Sequence, residues 1–176
     1  MTAENYFQAF GIEPNFEINL RELKQAYRDK QQQSHPDRFA HEEASVQRKA
    51  VQATALNNEM FQTLVSNVKR GHYLLALNGI DFDVETYTVT DVEMLMNQLN
   101  YREQLNDYKK QKDVDALIEL QDEVSDKQKE IARRLSILFA GDITNDAEQI
   151  KATLCELQFF DKLATEAALV EEQLLD

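Results

Sequence analysis

The tripeptide His35-Pro36-Asp37 constrains this chain most, because it falls between two long stretches of helical character. Proline fixes its own φ and drives the preceding residue out of the α region, so a helix running into it has to stop. Upstream, Asn19 stands three residues before Glu22, a capping-box pattern that predicts a helix from Leu20 to about Ser34. Its inward residues are expected to be Leu20, Leu23 and Tyr27, spaced three and four apart. Downstream, Val46, Ala50, Ala53, Phe61 and Leu64 return at helical spacing and predict a helix from about Glu42 to Leu64. The two helices are thus joined by a tight, exposed loop that presents an imidazole, a rigid ring and a carboxylate together. Loops mounted on a rigid scaffold are where function concentrates.

The remaining sequence offers little material for hairpins. It has four glycines and two prolines in 176 residues, and Gln, Glu, Lys, Leu and Ala, all good helix formers, are abundant. An all-α chain is expected. A short helix from Asn5 to Phe10 ends at Gly11, with Pro14 blocking its continuation, and another spans Val68 to Leu77. The turn-rich segment Asn78-Gly79-Ile80-Asp81-Phe82-Asp83-Val84 marks a boundary, giving a first domain over 1–77, a linker over 78–89 and a second domain over 90–176. Thr90 with Glu93 opens a helix running to about Lys112. Asp113 caps the next, with Val114, Leu117, Val124, Ile131, Leu135 and Leu138 inward, and Gly141 ends it. Asn145 with Glu148 opens the last, with Ile150, Leu154, Leu157, Phe160, Leu163, Ala167, Val170 and Leu174 inward. Steps of three and four sustained over this length predict a three-helix bundle.

Several function classes recede on chemical grounds. Hydrophobic content of 43% supports a core, but no apolar run approaches the length that spans a membrane. The start MTAENYFQAFGIEP lacks the basic and apolar stretches of a secretion signal, and one cysteine, Cys155, suits a reducing, cytoplasmic setting. A net charge of −13 argues against nucleic acid as the main partner, since binding phosphates requires a basic footprint. His35, His41, His72 and Cys155 are scattered without metal-ligand spacing, so neither a metal nor a cofactor is expected. An acid–base pair of His35 and Asp37 would lack a nucleophile motif or phosphate-cradling loop, and the chain reads as a non-enzyme.

Two surfaces remain. The helix before the loop carries Arg21, Lys24, Arg28 and Lys30 against Glu22 and Asp29, and Arg38 extends this beyond the loop. Such charges fit a solvated helix face or, on an acidic chain, a strip that steers association with an acidic partner. The helix after Thr90 has two apolar stripes: Met94, Tyr101, Leu105 and Tyr108 on one side, and Val92, Leu95, Met96 and Leu99 nearly opposite, bordered by Arg102 and Glu103. Either both stripes are core or one is spare and open to a partner. Phe159 lies off the seam through Leu157, Phe160 and Leu163, which suits an interface anchor.

The stretches NYFQAFGIEP, AYRDKQQQSHPDRF and LNNEMFQTL resemble a J-domain, the module that activates ATPase chaperones of the DnaK class. RGHYLLALNGIDFD, DVEMLMNQLNYREQL and LCELQFFDKL extend the likeness over nearly the whole chain, to the HscB family of bacterial iron–sulfur co-chaperones. The resemblance implies an adaptor that stimulates an HscA-type ATPase through Lys24, Arg28, His35, Pro36, Asp37 and Arg38. It implies that the second domain binds the scaffold protein IscU through Leu95, Met96, Leu99, Glu103 and Phe159. The cysteine-rich zinc-binding start of longer eukaryotic relatives is missing, so the bacterial form is expected. Three positions depart from the family pattern: Ser34 replaces an aromatic residue, Gln33 a basic one and Asn100 an acidic one. A J-domain protein for another client, a purely structural helical protein and a hydrolase using His35 and Asp37 are the rival readings.

Overall fold

A computed structural model describes residues 5–83, 87 and 91–175. Side chains that accept hydrogen bonds from unsatisfied amides set where its helices begin. The Asn5 side chain accepts from the Gln8 amide while Gln8 accepts from the Asn5 amide, a reciprocal cap that opens α1 (Tyr6–Ala9). Asn19 accepts from the amides of Arg21 and Glu22 and opens α2 (Leu20–Ser34). Pro36 ends α2 and begins a single 3-10 turn (Pro36–Phe39), followed by α3 (Ala44–Val65) and α4 (Asn67–Leu77). Then come α5 (Val92–Gln111), α6 (Val114–Ala140) and α7 (Ala147–Leu175), and no strand occurs among the described residues.

The molecule is all-α: a J-domain-type helical hairpin followed by a three-helix bundle. The chain divides into two compact units, Met1–Leu77 and Asn78–Asp176. Residues 84–86 and 88–89 of the linker proposed for 78–89 lie outside the described residues, as does the expected cap Thr90. Asp91 holds the N-cap of α5, its carboxylate accepting from the Met94 amide at 3.1 Å. Asn145 does not cap α7 either. Its amide and side chain both donate to Asp142, whose short carboxylate closes a local turn, and the helix begins two residues later.

In the first unit, α2 and α3 form a hairpin whose core gathers Phe7, Leu23, Met60, Leu64 and Leu75. Tyr27 stacks on Phe61 with ring centroids 4.1 Å apart, and its hydroxyl donates to Asn58. Leu20, expected inward, is exposed because it sits at the first helical position, beyond the reach of α3. Ala53 is exposed too, and a polar residue, Asn57, occupies the buried sector instead. A second buried polar group lies at the base. Arg70, 4% exposed, donates from Nε to the Phe16 carbonyl at 2.7 Å, from Nη1 to the Leu64 carbonyl at 2.5 Å and from Nη2 to Asn67. Burial lowers its pKa to about 10, so it stays charged near neutrality among oxygen acceptors. This one guanidinium ties the irregular segment around Phe16 to the junction of α3 and α4.

In the second unit, α6 and α7 run antiparallel. Gln121 pairs with Glu171, Gln128 with Asp161 and Arg134 with Glu156, so one number falls as the other rises. Leu117, Val124, Ile131 and Leu135 meet Ile150, Leu154, Leu157 and Leu163 in the seam. The turn from α5 to α6 is two residues long. Lys112 adopts the left-handed conformation (φ 55°) and Asp113 caps α6. Helix α5 lies on both partners through Tyr101 and Leu105. Tyr101 stands edge-on to Phe160, and its hydroxyl donates to Glu123 at 2.6 Å. Burial, reinforced by that carboxylate, pushes the phenol pKa well above its ordinary value.

Candidate functional site

The proline dictates the geometry of the loop. His35 leaves the helix with φ −59° and ψ 126°, the extended conformation that a following proline imposes. Its Nδ1 then accepts from the Asp37 amide at 3.3 Å, so the imidazole caps the 3-10 turn. The same nitrogen lies 3.6 Å from the Asp37 carboxylate, an ion pair only when the ring is protonated. Both side chains remain largely exposed, Asp37 at 90%. Arg38 reaches back and donates to the Gln32 carbonyl at 3.0 Å, which ties the turn to the end of α2. No partner side chain completes a catalytic constellation in these contacts. The loop can present a shaped pair of polar groups to another molecule.

Lys24 and Arg28 are exposed on one face of α2, four residues apart and joined by Arg21 on the same stripe. By the helical rise they stand roughly 16 and 10 Å from His35 along the axis. Lys30 falls on the opposite side. It is half-buried, with its ammonium 5.9 Å from the centre of the Phe10 ring. The basic strip is therefore narrower than the sequence count suggests.

In the second unit the structure separates the two stripes of α5. Tyr101 and Leu105 are buried, with Met94 and Tyr108 half-buried beside them. Opposite, Val92, Leu95, Met96 and Leu99 are 70, 41, 62 and 57% exposed, and Glu103 is exposed on the same face. Phe159 departs from its expected place. It is 8% exposed, edge-on to Phe160, with the Arg102 guanidinium 5.7 Å from its ring centre. Being off the seam does not expose it, because α5 covers that flank of α7 and Arg102 closes over the ring. In the sequence Arg102 only borders the exposed stripe, and no spacing rule pairs it with a residue on another helix.

Among the described residues, no group of three or more His, Cys, Asp or Glu side chains is placed to hold a metal ion. None of the described helices is long and apolar enough to cross a membrane. Burial pushes the Cys155 thiol pKa up, which disfavours the reactive thiolate.

Residues 90–168 match the family described as the HSCB C-terminal oligomerisation domain. A curated co-chaperone protein HscB homolog from Shewanella woodyi is 39% identical over 175 residues, covering 98% of this chain and 99% of its own. The chain belongs to the HscB co-chaperone family. A second HscB homolog, from Shewanella pealeana, is 36% identical over 173 residues with the same coverage. Solved HscB structures share the fold. Chaperone HscB from Vibrio cholerae superposes with a TM-score of 0.84 at 31% identity, covering 97% of this chain and 99% of that one. The human co-chaperone protein HscB gives 0.85 at 25% identity, covering 96% and 83%.

Proposed function

We propose that this HscB family member is a non-enzymatic adaptor that stimulates the ATPase of an HscA-type chaperone and delivers to it the iron–sulfur scaffold protein IscU. The first unit would dock through Lys24, Arg28 and the loop His35-Pro36-Asp37, with Arg38 bracing the loop from within. Asp37 would meet a basic or hydroxyl group on the ATPase, while the His35 cap and Pro36 hold the shape of the turn. Docking biases the partner toward its hydrolysis-competent state through differential contacts, with no chemistry done by this chain. The second unit would hold IscU on Leu95, Met96, Leu99 and Glu103, with Phe159 supporting that face from beneath Arg102. Carrying cargo and activator on one chain raises the local concentration of the scaffold at the ATPase. The cytoplasm is the compartment in which this adaptor would work.

The single observation that carries this reading is the signature turn, capped by its own histidine and exposed on a helical hairpin of a co-chaperone family. A steady-state ATPase assay with purified HscA-type chaperone tests it. His35→Gln removes the imidazole cap from an exposed site, so stimulation is expected to vanish while the circular dichroism spectrum and unfolding midpoint stay unchanged. Stimulation that survives removes the loop from the mechanism.

A further inference from the structure

The hairpin's open end, between α2 and α3, holds polar contacts that neither the loop nor the basic strip accounts for. Ser34 is the last residue of α2, where helix carbonyls lose their intrahelical partners. Its carbonyl accepts from the Thr54 hydroxyl of α3 at 3.1 Å. Its own hydroxyl donates to the Lys30 carbonyl at 2.9 Å and accepts from Asn57 Nδ2 at 3.2 Å. One proton and one lone pair of the serine are thus both used. Asn57 is 8% exposed, a buried amide in a stripe that otherwise carries apolar groups.

The same side of the hairpin carries an open surface pocket of about 400 Å³ whose lining includes Ser34, Phe39, Val46, Ala50, Ala53 and Asn57. The small residues Ser34, Ala50 and Ala53 leave this flank of the hairpin open to the surface. Close packing, which usually fixes a backbone, is weak here. Hydrogen bonds have to do that work instead. The Ser34 carbonyl belongs to the same peptide plane as the His35 amide. A hydroxyl that holds this carbonyl therefore sets the direction in which His35-Pro36-Asp37 leaves the helix.

We infer that Thr54 and Asn57 are positioning residues for the signature loop, acting through Ser34 to fix the orientation of the His35 peptide. The inference rests on the reading of the loop as the ATPase-stimulating element, and goes beyond it by naming what aims the loop. Both residues lie on α3 and act through Ser34, so loosening the loop should raise the concentration of chain needed for stimulation, since only the aimed fraction is competent to dock.

The test uses the full chain and two near-isosteric variants, Thr54→Val and Asn57→Leu, with Thr54→Ser as the rescue. ATPase stimulation is measured across a range of chain concentrations, and amide hydrogen exchange is followed in the free protein. Losing one net hydrogen bond corresponds to about a fivefold fall in the ratio of aimed to misaimed loop. Thr54→Val should therefore raise the half-saturating concentration by up to about fivefold, with maximal stimulation little changed. Exchange at the Asp37, Arg38 and Phe39 amides should quicken, while α4 and α5–α7 exchange as before. Thr54→Ser should restore both readouts, and Asn57→Leu should reproduce the shift. Unchanged exchange and an unchanged half-saturating concentration in Thr54→Val overturn the inference, as does a Thr54→Ser variant impaired like valine. Were Asn57→Leu to unfold, the Thr54 pair alone decides. If the natural chain gives no stimulation at all, the adaptor reading falls, and exchange in the free protein still decides the clamp.

Discussion

In the first unit two polar side chains, Asn57 and Arg70, are buried at hydrogen-bonded sites, whereas α5 of the second unit carries a stripe of exposed apolar side chains. Arg70 and Asn57 are buried in the first unit, each hydrogen-bonded to the backbone or side chains that shape an irregular segment. Val92, Leu95, Met96 and Leu99 stand exposed on the second, above a seam of leucine, isoleucine and valine that needs none of them. The difference fits what each unit would present under the proposed function. A loop must be held rigid with little packing beneath it, which calls for directional bonds from inside. A docking face for a folded partner is made by leaving apolar area dry-seeking and uncovered, which a bundle tolerates once its seam is complete. The family likeness covers both units, which differ in what they bury and what they expose.

The contrast breaks first at Arg70. Arg70→Met keeps the volume but leaves the Phe16 and Leu64 carbonyls without their donor, each costing about 1–3 kcal/mol when buried. Relief from burying a charge offsets part of this, so a net loss of about 2 kcal/mol is expected, read by urea titration at first-unit amide resonances. A negligible loss would mean that the inward polar groups are incidental.

The second unit supplies the next test. Met96→Ala with Leu99→Ala should weaken IscU binding by about tenfold to a hundredfold, as truncation of central apolar anchors does. The same pair should move the bundle's stability by no more than about 0.5 kcal/mol, since both side chains are exposed. Isothermal titration and urea unfolding read the two effects separately. A large loss of stability would show that the stripe is core and erase the contrast.

The smallest effect sharpens the picture of how the bundle is closed. Lys112 adopts a left-handed conformation at the end of α5, which glycine occupies without strain. Lys112→Gly should raise the stability of the second unit by about 0.5–1 kcal/mol, seen as a higher urea midpoint with first-unit resonances unaffected. No change would place the α5–α6 turn among sites held by neighbours more than by local backbone preference.

What was legible in the sequence was local. Asn19 and Pro36 fix the ends of α2 by bonding and sterics within four residues, so those ends were readable from the letters alone. Asp113 and Gly141 bound α6 for the same reason. Caps were harder to read where two candidates stood together. Thr90 and Asp91 can both accept from a helix amide, and Asp142 competes with the later start of α7 for Asn145. Periodicity located the seam of α6 and α7 because a 3.6-residue repeat is a property of one helix. It misplaced Leu20 and could not show that Phe159, off the seam, is covered, because periodicity gives an angle about one axis and says nothing about what lies across it. The clamp on Ser34 was illegible for that reason, since Thr54 and Asn57 are twenty or more residues away.

By itself, the sequence determined that this chain is helical, where most helices start and stop, and that a stiff polar turn joins two of them. Those outcomes follow from short-range sterics and hydrogen bonding. Only the tertiary structure decided which stripe of α5 faces water, that Arg102 closes over Phe159, and that α3 holds the peptide from which His35 departs. Burial and long-range bonds depend on which helix lies against which, and no spacing along a single strand of letters encodes that directly.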